Sequence, residues 1–453
     1  MTVVLDRPYQ FVPPHRGNAW PSFIQTFRIV DLYLARKEGV VQHECRGLDH
    51  WRASKQRGDG ILLAPNHCRY ADPLVIGWPA RQLGSHVFAM ASWHLFNVGA
   101  FDSFAIRKMG GFSINREGSD RASLEMAIEV LAAAERPLIL FPEGTTNRTN
   151  DVLKPLLEGV AFIARAAARR RDKECGGQLV MHPIAIKYLC VGKINDWAQT
   201  QLSQLETHLG WRRPVGASIL DRTIRLAEGL LALKEIEYFG TSQTGDLRTR
   251  RDRLILHILQ QSELRLGLFP AADTHADGAR LGDSVSSDSV KGHLASAGPS
   301  GLTVESFATR AEFDSDIRSR VRVIRTETVT QYFRCIGEGA ADQLQERYQR
   351  ESRAANLAQD LMSYPDCYLD ADQVTDTRIV ETIQRMQETF FGRADVRVPL
   401  KAVIQCDEAI VVPPQRAPRG QTDPIMDQLG SRLTSLVDAL SHEARSAKDA
   451  GLI

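Results

Sequence analysis

Between residues 61 and 189, short apolar runs alternate with amphipathic stretches, and this alternation limits the fold more than any other feature of the chain. ILLAP (61–65), SHVFAMA (85–91), PLILFPEG (137–144) and QLVMHPIAIKYL (178–189) read as buried strands. Helical patterns lie between them: ADPLVIGWPARQLG starts one, and residues 119–137 form another, with Leu124, Ala127, Ile128 and Leu131 on one face. A third is LLEGVAFIARAAARRR (156–171). Strands taken in turn with helices predict an α/β fold: a mixed, largely parallel sheet flanked by helices.

The rest of the chain is organised around this core, taken as 46–194. Residues 1–45 form an N-terminal amphipathic segment. In it PSFIQTFRIVDLYLARKE (21–38) places Phe23, Phe27, Val30 and Leu34 at helical spacing, a face for the core or for a bilayer. Residues 195–395 read as a large, mostly helical insertion, with helical patterns at 198–209, 219–238, 249–264, 328–361 and 375–391. Within it, 271–302 is rich in Ala, Gly, Ser and Asp and reads as flexible. Residues 396–453 read as the return of the core, β-like at 396–414 and then helical from Asp423-Pro424.

Composition narrows the partners. Lys and Arg number 56 against 55 Asp and Glu, which argues against nucleic acid as a bulk ligand. The seven cysteines never form a CxxC pair and suit a reducing compartment. No run reaches the roughly 20 apolar residues of a membrane span, and the first residues lack the layout of a signal peptide. The expectation is a cytoplasmic protein, at most peripheral on the inner face of a membrane.

Four pieces carry residues suited to chemistry. The first is APNHCRYADPL (64–74), where His67 follows a strand end and Asp72-Pro73 starts a helix. The turn between them can bring the carboxylate onto the imidazole, as a working pair; equally, Asp72 can cap its helix beside a core histidine. The second is GGFSINREGSD (110–120), with Arg116 ahead of a helix N-terminus, a phosphate site or a surface turn. The third is LILFPEGTTNRT (138–149), which offers Glu143, Gly144, Thr145, Thr146, Asn147 and Arg148 at a strand end. The fourth, VMHPIAI (180–186), reads alone as structural. The cluster Arg165, Arg169, Arg170, Arg171 and Lys173 suits a solvated helix face or an anionic membrane.

In this order, Asn66-His67 with Asp72, GGFSINR, FPEGTTNR and MHPIAI resemble the four blocks of the phospholipid/glycerol acyltransferase family, which includes bacterial lysophosphatidic acid acyltransferases. The resemblance covers about 20–190 and resumes at 396–440. It implies a glycerolipid acyltransferase-like fold and an O-acyltransferase of phospholipid biosynthesis, similar to 1-acylglycerol-3-phosphate acyltransferases. His67 would deprotonate the acceptor hydroxyl and Asp72 would hold its tautomer. Arg116 would bind the acceptor phosphate, and Asn66, Glu143, Gly144, Thr145 and Arg148 would contribute to the substrate site. Pro183 would shape the acyl-donor pocket. No metal or bound cofactor is implied; acyl-CoA or acyl carrier protein is the co-substrate, and a glycerophospholipid at a membrane surface is the acceptor. One departure stands out. The family's third block commonly reads EGT followed by Arg, whereas here Thr146 fills that place and Arg148 lies two residues on. A different lyso-phospholipid or lipid amine as acceptor, or an idle lipid-binding scaffold, are the alternatives; both His67 and Asp72 being present weighs against the scaffold.

Overall fold

A computed structural model of the protein describes residues 5, 7–118, 120–268, 302–339, 342–415 and 423–453. Nearly all of the stretch read as flexible lies outside these. The chain forms two compact units, one of Tyr9–Gly229 with Ser363–Ile453, the other of Leu230–Met362 with the described residues ahead of Tyr9. The second unit has its own apolar core, with Leu254, Ile258, Ile317, Ile324 and Ala355 at its centre. Buried within it, Arg320 donates to both oxygens of Glu263 at 2.7 Å.

The first unit contains an eight-stranded sheet. Its strands are β1 (Val40–Arg46), β2 (Gly60–Pro65), β3 (Phe88–Ser92), β4 (Gly111–Ile114), β5 (Leu138–Ile139), β6 (Leu179–Cys190), β7 (Leu400–Cys406) and β8 (Ile410–Val411). The order is β1-β7-β6-β2-β5-β3-β4, with β8 also on β6. Strands β2 to β6 are mutually parallel, while β7 and β8 run antiparallel to β6. The mixed, mostly parallel sheet flanked by helices is therefore as the alternation predicts. Pro183 sits in β6 without breaking it. Its carbonyl accepts from Asp407 N at 3.0 Å, in the gap between β7 and β8, so the missing N–H faces that turn rather than β2.

Several boundaries differ from the sequence reading. Strands β1 and β4 go beyond the runs read as strands, because β4 is only four residues long and β1 alternates weakly. The amphipathic segment is no single helix: it breaks between Ala19–Thr26 and Ile29–Tyr33, where Arg28 takes φ +53°. A tertiary contact fixes the break, since Asp31 accepts from the Trp78 indole at 2.8 Å and from Arg81 at 3.2 Å. Of the expected face, Leu34 is buried, while Phe23 and Phe27 point outward. The pattern at 328–361 is two helices, Arg310–Gly337 and Asp342–Leu361. The span 195–395 is not one insertion: the helices Asn195–His208 and Asp376–Phe391 belong to the unit that holds the sheet, leaving Leu230–Met362 as the separate body.

Two arginines of the basic cluster on the helix Gly159–Cys175, Arg165 and Arg171, bond inward. Arg165 is buried and donates to both oxygens of Asp423 at 2.6 and 2.7 Å, and to the carbonyls of Pro413 and Gln415. Asp423 in turn caps the helix Pro424–Ser441, as its position before the proline suggests. Arg171 donates to the carbonyls of Gly58, Ala132 and Gln178. Arg165 thus anchors the returning C-terminal segment.

Arg165→Ala, which leaves a buried carboxylate without its partner, is expected to lower the unfolding free energy by about 3 kcal/mol or more. The hydrogen bonds from Arg165 hold the Asp423 carboxyl below its ordinary range. A depressed carboxylate stabilises the fold above its unfolded pKa, near 4, and loses that contribution as pH falls through its folded pKa. The gap between wild type and variant should therefore be full at pH 7 and shrink on acidification below about pH 4, as urea titrations at several pH values would register.

Candidate active site

Strand β2 is buried along its whole length and ends at Pro65, so the residues after it emerge at the C-terminal edge of the parallel strands, where such sheets place ligands. Asn66 fixes this exit: its side chain donates to Ile186 O at 3.1 Å and accepts from Ile186 N at 2.7 Å, bonding β2's end to β6. The chain then turns into the short helix Asp72–Val75, with Pro73 in its first turn. That turn brings His67 Nδ1 to 2.8 Å from Asp72 Oδ2.

Asp72 is wholly buried and surrounded by donors. Arg69 N reaches Oδ2 at 2.9 Å and the Tyr188 hydroxyl reaches Oδ1 at 2.7 Å. Burial first, and then Asp72, raise the Tyr188 phenol well above its ordinary value, which keeps it a donor. With a carboxylate able only to accept, Nδ1 carries the ring proton, and Nε2 presents a lone pair. Phe141 stacks on the imidazole with centroids 3.9 Å apart.

The loop after β5 supplies the other half. Glu143 is fully buried and accepts from His67 N at 2.6 Å through one oxygen. The other accepts from Asn147 Nδ2 at 2.7 Å and Lys154 N at 2.9 Å. Asn147 N returns the connection to His67 O at 2.8 Å. Gly144 takes φ +72°, a turn that its lack of Cβ permits. The loop then delivers the Thr146 hydroxyl to 3.0 Å from His67 Nε2.

The chain's late helix, Asp376–Phe391, closes on the same region. Gln384 accepts from Arg69 at 3.1 Å, Glu388 pairs with Arg148, and Glu381 accepts from Asn150 N at 3.3 Å. Arg148 also lies over the Tyr70 ring, 4.7 Å from its centroid. The structure thus gathers Asn66, His67, Asp72, Glu143, Gly144 and Arg148 at one place, with Thr145 half-buried in the same loop. Arg116 follows β4 at the same edge. Strands β5 and β3 intervene, so it begins about 14 Å along the edge from His67.

Residues 43–187 match the model of the family described as Acyltransferase. A stretch of 110 residues is 34% identical to a 1-acyl-sn-glycerol-3-phosphate acyltransferase of Streptococcus pneumoniae. Residues 43–187 are thus similar to the acyltransferase family. The stretch of likeness to the pneumococcal protein is 24% of this chain and spans 38% of that protein. The family's matched region contains β1 to β6 almost entire, whereas the helix over Arg69 and Arg148 lies outside it.

Sequence reasoning missed Thr146 as a partner of His67, Tyr188 as a partner of Asp72, and the contribution of Asp376–Phe391. Asn147, seen only as a polar loop residue, proves to tie Glu143 to the turn. Thr146 had a visible signal, its place directly after the EGT run; Tyr188 and the late helix had none. Glu143 acts as a brace beneath the histidine in this structure. Glu143→Ala is accordingly expected to lower stability by about 3 kcal/mol in denaturant unfolding. A glutamate that served only a substrate could be removed with no such loss.

Proposed function

We propose that the protein transfers a fatty acyl group from a thioester, acyl-CoA or acyl carrier protein, to a hydroxyl of a glycerophosphate or lysophospholipid, as in phosphatidic acid synthesis. One observation carries the reading: His67 is held by Asp72 at Nδ1 while Nε2 faces a hydroxyl oxygen at 3.0 Å. In the reaction, the acceptor hydroxyl takes that position. Its oxygen attacks the thioester carbonyl carbon as its proton passes to Nε2. The C–O bond forms, the C–S bond breaks, and the leaving sulfur takes the proton from the imidazolium that Asp72 has stabilised. The step draws only on these side chains, because the thioester is already activated.

Arg69 and Arg148 beside the histidine, with Arg116 along the edge, suit an anionic headgroup. Glu388 paired with Arg148 favours a second reading, in which the acceptor carries an amine as well as a phosphate. In assays offering glycerol 3-phosphate, lysophosphatidic acid and amine-bearing lyso-lipids, wild type should acylate one class. His67→Ala should abolish that product, and Asp72→Asn should lower kcat by roughly 10³-fold or more. Transfer undiminished in His67→Ala would sink the mechanism.

A membrane surface is the natural source of such an acceptor. No helix among the described residues is long and apolar enough to cross a membrane. Phe23, Phe27, Val98 and Phe101 are nonetheless exposed, by 46% to 72%, and Trp20 packs on Phe104 and Phe23, linking these side chains across two helices. This arrangement supports docking by an apolar face rather than a span. Phe27→Ser combined with Phe101→Ser should weaken sedimentation with anionic vesicles at least about tenfold, through lost apolar burial.

A further inference from the structure

The hydroxyl that occupies His67 Nε2 belongs to the protein itself. A neutral imidazole has a single lone pair, directed in the ring plane, so one donor at a time can use it. Thr146 holds that position at 3.0 Å, and the ring offers little else: it is 6% exposed and Phe141 covers one face. Thr146 is itself buried, at 8% exposure. Its backbone is tied on either side, since Asn147 N is bonded to His67 O and Gly144 N to Phe141 O. What can move is the side chain, between the staggered χ1 wells open to threonine.

We propose that Thr146 is a positioning residue that guards the base. Its hydroxyl occupies Nε2 until the acceptor's hydroxyl displaces it, and so keeps water from the base while a thioester waits. The inference rests on the acyl-transfer reading. The reaction it suppresses is hydrolysis: a water proton passes to Nε2, the water oxygen bonds to the carbonyl carbon, and the C–S bond breaks. The thiolate then takes the proton, giving free fatty acid and thiol. An acceptor lipid competes better than water because its remaining contacts hold its hydroxyl in place.

The test measures free fatty acid and acylated lipid formed side by side from acyl-CoA and an accepted lyso-lipid, for wild type, Thr146→Ala, Thr146→Ser and the double variant Thr146→Ala with His67→Ala. The readout is the ratio of hydrolysis to transfer in one sample, which does not depend on the fraction folded. In Thr146→Ala the ratio should rise about fivefold or more, the order of factor that one neutral hydrogen bond supplies. Thr146→Ser, which restores the hydroxyl, should return the ratio toward wild type, and the double variant should hydrolyse at background. An unchanged ratio in Thr146→Ala overturns the guard, as does hydrolysis that survives loss of His67. Loss of transfer and hydrolysis together in Thr146→Ala, with both kept in Thr146→Ser, overturns it too and assigns the hydroxyl to proton transfer. Wild type that transfers to no acceptor overturns the acyl-transfer reading itself, and the guard with it.

Discussion

The C-terminal edge of the parallel strands depends on one buried carboxylate. Glu143 takes His67 N on one oxygen, and Asn147 Nδ2 and Lys154 N on the other, and Asn147 N closes the ring onto His67 O. An anion removed from water is costly unless its lone pairs are met, and here donors from the ends of β2 and β5 meet them. The same bonds set the height of the histidine against the loop that carries Thr146. A short strand of two residues, Leu138–Ile139, would otherwise fix that loop poorly.

Around this brace, the polar groups are arranged so that each orients the next. Tyr188, from the far end of β6, donates to Asp72, and Asp72 accepts from His67. Asn150, from the β5 loop, holds Tyr188 through both backbone groups, at 2.9 Å to its N–H and 2.5 Å to its carbonyl. In a low-dielectric interior such a chain is stiff, because losing any link strands a buried polar group. Rigidity of this kind allows a single imidazole nitrogen to be aimed without help from solvent.

The late helix adds charge to the same region. Asp151 joins Lys187 of β6 to Arg378, and Glu388 answers Arg148. Its buried face mixes the apolar Ile379, Val380, Ile383 and Met386 with the polar Asp376, Glu381, Gln384 and Arg385. Packed on a set of arginines and a buried lysine, that face could not be replaced by leucines without leaving cations uncompensated. The helix therefore contributes to the electrostatics of the site while lying outside the region shared with the family.

The alternation of strands and helices was legible because burial on both faces of parallel strands writes continuous apolar runs, as in ILLAP and QLVMHPIAIKYL. The turn between His67 and Asp72 was legible from a strand end followed by a helix cap, but the residues alone left open whether it closed a pair or merely capped the helix. The alternation and the turn are local facts, and the sequence by itself determined those. The tertiary structure alone decided the rest. Tyr188 is 116 residues from Asp72, and Glu388 is 240 from Arg148, separations at which periodicity says nothing about contact. Whether Glu143 would face a substrate or the backbone beneath His67, and whether Thr146 would meet Nε2, depended on how two strand ends from different parts of the chain settle side by side. Hydrogen-bond geometry discriminates on the scale of tenths of an ångström, and only the packed sheet sets positions that finely.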